Sequence, residues 1–156
     1  MTNNSITLTP KETTLIKDLK DQEKLCEQKY KKHAECAHDP QLKQLFTELA
    51  DVEHHHYDML VQMESGTVPS VEGKTQAPSS TFTATYKGGE TPEKSQDAYL
   101  CSDLLSTEKH VSGLYNTCVF EFAQPACREL LNHIQSDEQW HGERIYAYMK
   151  ANNMYS

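Results

Sequence analysis

Apolar residues recur every three or four positions through four long stretches of this chain, the spacing of one buried stripe on an α-helix. The first stretch begins near Pro10 and ends near His38, with Leu15, Leu19, Cys26, Tyr30 and His33 on its stripe. The second opens at Asp39-Pro40, a capping residue followed by proline at the first helical position, and carries Leu42, Leu45, Leu49, Met59 and Met63. The third starts near Glu93 to Asp97 and carries Leu104, Val111, Tyr115, Cys118 and Phe122. The fourth opens at Gln124-Pro125 and carries Leu130, Ile134, Ile145 and Met149. Gly66 to Pro92, between the second and third, is rich in Ser, Thr, Gly, Pro and Lys and reads as a loop, with a short extended piece expected at Thr81 to Tyr86.

So long a loop inside a compact domain needs a reason. A four-helix bundle with one long crossover supplies it. Helices of roughly 25 residues run about 38 Å at 1.5 Å per residue, and the loop is long enough to travel that distance. The expected fold is therefore all-α: one antiparallel four-helix domain over 1–156, with a helical hairpin at 10–65, a crossover loop at 66–96 and a second hairpin at 97–152.

The two hairpins repeat each other. A shift of 85 positions pairs Asp18 with Asp103, Leu19 with Leu104, Glu23 with Glu108, Lys24 with Lys109 and Tyr30 with Tyr115. The same shift pairs Pro40 with Pro125, Leu45 with Leu130, Glu53 with Glu138 and His56 with His141, without a gap. Duplicated hairpins related by an approximate two-fold axis would deliver the same ligands from each half to a site on that axis.

That site is legible in the stripes. Glu53 and His56 form a Glu-x-x-His pair, as do Glu138 and His141, and residues three apart share a helix face. Each glutamate follows a stripe residue by four: Glu53 after Leu49, Glu138 after Ile134, Glu23 after Leu19, Glu108 after Leu104. Four carboxylates and two imidazoles thus point inward. Burying one ionised carboxylate costs several kcal/mol even after relaxation, and four together would repel and largely protonate. Two divalent cations remove the difficulty. A lone Glu from each of two helices plus Glu-x-x-His from each of the other two is the ligand set of di-iron and di-manganese carboxylate bundles. Oxygen and imidazole donors suit iron or manganese and accept zinc.

Other polar residues read more plainly. His54, His55, His110 and His133 are expected on the surface, and His33 as a satisfied histidine near a helix end. Glu27, one turn after Glu23, reads as solvated helix face, with a further ligand as the alternative. Tyr30 and Tyr115, two turns beyond the lone glutamates, read as core aromatics whose hydroxyls find a partner, with hydrogen bonding near the metals as the alternative. Of five cysteines, Cys26, Cys101, Cys118 and Cys127 lie on stripes and read as small buried hydrophobes, with cross-linking to a neighbouring chain as the alternative. There is no Cys-x-x-Cys pair, so a rubredoxin-type iron site or zinc ribbon is excluded.

Composition sets outer bounds. The chain has 156 residues and a net charge of −8, an acidic balance that argues against nucleic acid or an anionic membrane as partner. No apolar run is long enough to cross a membrane, and Met1 to Pro10 lacks the basic start and apolar stretch of a secretory signal, so cytoplasmic synthesis is expected.

Asp103 to Thr117 (DLLSTEKHVSGLYNT), Asp137 to Glu143 (DEQWHGE), Tyr148-Met149 and Met154-Tyr155 resemble the coat F family of bacterial spore coat proteins. The first half, Glu23 to Leu60, resembles the ferritin-like group more loosely. The resemblance implies assembly into the spore coat among other coat proteins, while extra apolar residues on the helix flanks offer a dimer face to a second copy. By similarity to di-iron bundles, Glu53 and Glu138 would bridge two metals. Glu23 with His56 and Glu108 with His141 would be terminal ligands, the pairing of terminal Glu to His being left open by the bundle's handedness. Positions would remain for dioxygen or peroxide, so a di-metal oxidoreductase (ferroxidase, peroxidase or catalase-like) is the alternative function. The chain departs from two relatives. Rubrerythrins carry an extra Glu one turn beyond the third-helix ligand, where this chain has Val111 and Ser112. Bacterioferritin's haem-ligating Met slot holds His54, and a storage cage is disfavoured.

Overall fold

A computed structural model describes residues 5–71 and 81–155. It is all-helical: α1 (Pro10–Cys36), α2 (Pro40–Glu64), α3 (Pro92–Val119) and α4 (Pro125–Ala151), with no strand among the described residues. The helix ends follow local chemistry. Every helix has proline in its first turn, where the missing N–H would have had no helical partner. Thr9 caps α1 in a capping box: its hydroxyl accepts the Glu12 N–H while the Glu12 carboxylate accepts the Thr9 N–H. Asp39 caps α2 through the Gln41 N–H, and Thr91 caps α3 through the Lys94 N–H. The Thr91 cap places the start of α3 at Pro92, ahead of the expected boundary at 97. Residues 72–80 of the expected crossover lie outside the described residues, and the 81–86 piece is irregular rather than a strand.

The stripes are buried as the spacing predicts, with small corrections. Leu15 is only half-buried, and Ile16 takes the core position beside it. Phe122 is buried from the turn after α3 rather than from the helix. Helix α1 packs mainly on α2, and α3 mainly on α4. The interior divides into two apolar clusters. One gathers Ile16 and Leu19 of α1, Met59 and Met63 of α2, Val111 and Cys118 of α3, and Leu130 and Ile134 of α4. The other gathers Tyr30 of α1, Leu42 to Leu49 of α2, Cys101 and Leu104 of α3, and Ile145 to Met149 of α4. On α2, α3 and α4 the break between clusters falls where the sequence places its inward carboxylates and imidazoles. The apolar layers on either side hold the helices together, and the polar layer sits between them.

One end is tied by buried polar groups. The Asp97 carboxylate accepts the backbone N–H groups of His38 at 2.9 Å and Asp39 at 3.0 Å and the Tyr86 hydroxyl at 2.6 Å. Asp39 also accepts the Tyr148 hydroxyl at 2.6 Å. Asn152, fully buried after α4, accepts the backbone N–H groups of Thr85 at 2.8 Å and Tyr86 at 3.1 Å and donates to the Tyr148 carbonyl at 3.1 Å. These bonds tie the segment before α3 to the starts of α2 and α3 and to the end of α4. Replacing Asn152 with Ala strands two backbone donors, and the midpoint of thermal unfolding is expected to fall by an amount equivalent to about 2 kcal/mol. An unchanged midpoint would show that the tie does not hold this end.

Candidate metal centre

The six residues singled out from the stripes all face the bundle interior. Glu23 and Glu108 come from α1 and α3, Glu53 with His56 from α2, and Glu138 with His141 from α4. Glu23, Glu53 and His56 are fully buried; Glu108, Glu138 and His141 are nearly so. Their side-chain atoms converge in two overlapping groups, each within 4.8 Å: Glu23, Glu53, His56 and Glu138, and Glu53, Glu108, Glu138 and His141. Glu53 and Glu138 are common to both. Glu23 thus groups with His56, and Glu108 with His141.

Both histidines turn Nδ1 toward the carboxylates. His56 Nδ1 lies 3.3 Å from Glu138, 3.7 Å from Glu23 and 4.0 Å from Glu53. His141 Nδ1 lies 2.8 Å from Glu53, 3.3 Å from Glu108 and 3.5 Å from Glu138. The two rings stack at 6.0 Å between centroids, 19° from parallel. Their placement follows from three-residue spacing on helices whose apolar neighbours, Leu49 and Met59 on α2 and Ile134 and Ile145 on α4, fix the helix rotation.

The glutamate oxygens divide by chemistry. Tyr115 donates its hydroxyl to Glu23 Oε1 at 2.5 Å, and Tyr30 donates to Glu108 Oε1. Each tyrosine reaches from one half of the duplicated sequence to the glutamate of the other. That leaves Glu23 Oε2 and Glu108 Oε2 with no hydrogen-bond partner, together with both oxygens of Glu53, both of Glu138, and His56 Nδ1. The 2.8 Å contact of Glu53 with His141 is too far off the ring's N–H direction to be a hydrogen bond. A buried polar atom without a partner costs about 1–3 kcal/mol, and more when charged. Seven such atoms aimed into one small volume fit a pair of dications: one free oxygen on each outer glutamate, two on each shared one, and His56 Nδ1.

The protonation pattern reflects the same crowding. Burial, reinforced by the charges of Glu138, Glu23 and Glu108, pushes Glu53 well above the ordinary carboxyl range. Burial and the neighbouring Glu138 also raise Glu108. Burial works against the ionised form of Glu138 too, but contacts with Glu108, His141 and His56 outweigh it and hold that carboxyl well below the usual range. Burial disfavours imidazolium at His56, yet Asp137, Glu138 and Glu23 raise it well above its ordinary value. His141 rises to about 9, burial being overcome by Glu108 and Glu138. Without cations, protons are what compensate this cluster.

Asp137 was missed as a site residue. Its carboxylate lies 2.8 Å from His56 Nε2, the ring nitrogen not turned toward the glutamates. The one available signal was its position next to Glu138. The remaining histidines behave nearly as expected. His54 is exposed and pairs with Glu27 at 2.7 Å, and the Glu27 side chain is only 12% exposed, more covered than the solvated face expected for it. His55 and His110 are exposed. His33 is half-buried and bonded to Asp103 at 2.8 Å, and His133 is half-buried 3.6 Å from Asp137. Cys26, Cys101, Cys118 and Cys127 are free and buried, while Cys36 is exposed.

Fold and cluster together define a four-helix carboxylate bundle. Each half matches a known family model. Residues 2–64 match the rubrerythrin family model, and residues 96–156 match the Coat F domain. The two matches bear out the coat F resemblance and the ferritin-like di-iron kinship read from the sequence. No curated protein and no solved structure matches the chain. No helix among the described residues is long and apolar enough to cross a membrane.

The raised His141 value carries a sign. In metal-free protein the native state holds a proton there that the unfolded chain releases above about 6.5, so its stabilisation is complete below that pH and lost as pH rises through about 9. Stability of the metal-free protein is expected to fall by on the order of 3 kcal/mol over that interval in urea unfolding. A rise over the same interval would contradict the protonation pattern.

Proposed function

We propose that this chain is a coat F-like spore coat protein whose ferritin-like bundle holds two divalent cations, iron or manganese, between its helices. In this reading Glu53 and Glu138, common to both groups, would serve both ions. Glu23 with His56 completes one position, and Glu108 with His141 the other. The observation that carries it is the set of partnerless atoms. Tyr115 and Tyr30 occupy one oxygen of each outer glutamate and leave the other free, while both oxygens of each shared glutamate are free. Hydrogen-bonded packing alone gives no reason for that division, and coordination does.

The proposed architecture is antiparallel. Helices α1 and α4 run from the Ile16 cluster toward the Tyr30 cluster, while α2 and α3 run the opposite way, which supports a connection crossing the bundle's length between α2 and α3. The proposed domain is one unit over 1–156, with one hairpin at 10–65 and a second that the structure begins at Pro92 rather than 97. The Coat F match supports a place in the spore coat, where other coat proteins or a second copy would be its neighbours.

The protein's own contribution to the centre is rigidity and exclusion of water. Two apolar clusters close over the carboxylates from both ends. The tyrosine hydroxyls, raised by burial and by the adjacent glutamates, stay protonated and keep donating. An iron or manganese pair, when bound, would supply redox chemistry toward dioxygen or peroxide. The rubrerythrin match favours that second reading, a di-metal oxidoreductase.

Protein purified without a histidine tag and supplied with iron or manganese is expected to hold about two ions per chain, and less than about 0.3 would count against the proposal. Glu53→Gln combined with Glu138→Gln is expected to remove most of the metal while retaining helicity. Peroxide consumption by loaded protein that disappears in this double variant would establish the second reading; no consumption would leave a structural metal centre.

A further inference from the structure

The internal duplication breaks at Asp137, beside the centre. The shift that pairs His56 with His141 and Glu53 with Glu138 pairs Asp137 with Val52. The consequence is visible in the side chains. His56 Nε2 lies 2.8 Å from Asp137 Oδ2. His141 uses only Nδ1, and its Nε2 has no hydrogen-bond or ion-pair partner among the described residues. The tyrosine bonds to Glu23 and Glu108 are repeated in both halves and so introduce no such difference.

We propose that the two cation positions are unequal, and that the position formed by Glu23, Glu53, His56 and Glu138 binds a divalent cation more tightly and fills first because Asp137 holds His56. This rests on the metal-binding reading above. An imidazole that coordinates through Nδ1 must carry its proton on Nε2. A carboxylate accepting that proton fixes the tautomer, locks the ring against rotation and strengthens the donor nitrogen. His56 has all three benefits. Among the described residues His141 is oriented by its Nδ1 contacts, by its stack on His56 and by the edge of the Tyr30 ring, 6.3 Å away between centroids, with no carboxylate at its Nε2. Asp137 is 16% exposed and lies 3.6 Å from His133, so solvent and that histidine soften its charge, but its bond reaches a ring that is fully buried. Loss of such a partner lowers metal affinity about 10–100-fold, which sets the expected difference between positions.

Repulsion between two dications separates the binding steps in any such centre, so the informative readout is how the separation changes. Metal-free full-length protein is titrated with Co²⁺ under argon and followed by calorimetry and visible absorption. Asp137→Val, which copies the other half, is expected to weaken the first step about 10–100-fold and leave the second nearly unchanged. Asp137→Asn, which keeps the volume, is expected to act in the same direction and carries the test if the valine variant does not fold. Val52→Asp is expected to strengthen the second step. A step separation unchanged by the Asp137 variants, or a loss shared equally by both steps, would overturn the inequality while leaving the metal centre intact. Failure of the unaltered chain to bind Co²⁺ would remove the metal centre and the inequality with it.

Discussion

Four carboxylates enclosed by apolar side chains are the constraint on which the rest of this molecule depends. A bundle of this size could fill its interior with leucine and be more stable for it. Instead, the apolar core is split into two clusters, and the layer between them is given to Glu23, Glu53, Glu108, Glu138, His56 and His141. Desolvation and mutual repulsion make that layer unfavourable unless positive charge enters it. Protons compensate in part, as the raised His56, His141, Glu53 and Glu108 show. They give no use to seven polar atoms without a hydrogen-bond partner. Cations do both.

The duplication explains how so specific a layer arises from simple parts. Each half contributes one lone glutamate, one Glu-x-x-His pair and one tyrosine, and each tyrosine reaches across to the glutamate of the other half. Tyr30 and Tyr115 therefore join the halves at the centre as well as orienting Glu108 and Glu23. The polar tie at the far end does comparable work for the chain's connections. Asp97, Asp39 and Asn152 satisfy the backbone where the segment before α3 meets α2 and α4. Symmetry is broken at Asp137 and Val52, where one histidine gains an anchor that the other lacks.

Much of this was legible in the residues alone. The 3.6-residue stripes located all four helices because each buries one face against a common core, and Asp39-Pro40 marked the start of α2 by cap chemistry. The inward phase of the glutamates followed from their spacing after Leu19, Leu49, Leu104 and Ile134. The pairing of Glu23 with His56 did not, because spacing along a helix says nothing of which neighbouring helix lies beside it. The stripe leaves the start of α3 open between Glu93 and Asp97 because Glu93 to Gln96 carry no apolar signal, and the Thr91 cap with Pro92 in the first turn fixes the boundary. Leu15 and Ile16 are adjacent apolar residues, so the stripe was ambiguous by one position there. Asp137 escaped notice for the reason that makes it interesting: its counterpart is valine, and the repeat that flagged every other polar member of the centre gave no second copy of it.

Anomalous diffraction from crystals of the full chain grown with manganese, recorded on both sides of the manganese absorption edge, tests the central claim most directly. Two peaks are expected in the layer between the apolar clusters, both beside Glu53 and Glu138, one reached by Glu23 and His56 and the other by Glu108 and His141. Peaks confined to surface carboxylates, with the inner glutamates bonded only to one another and to water, would contradict it.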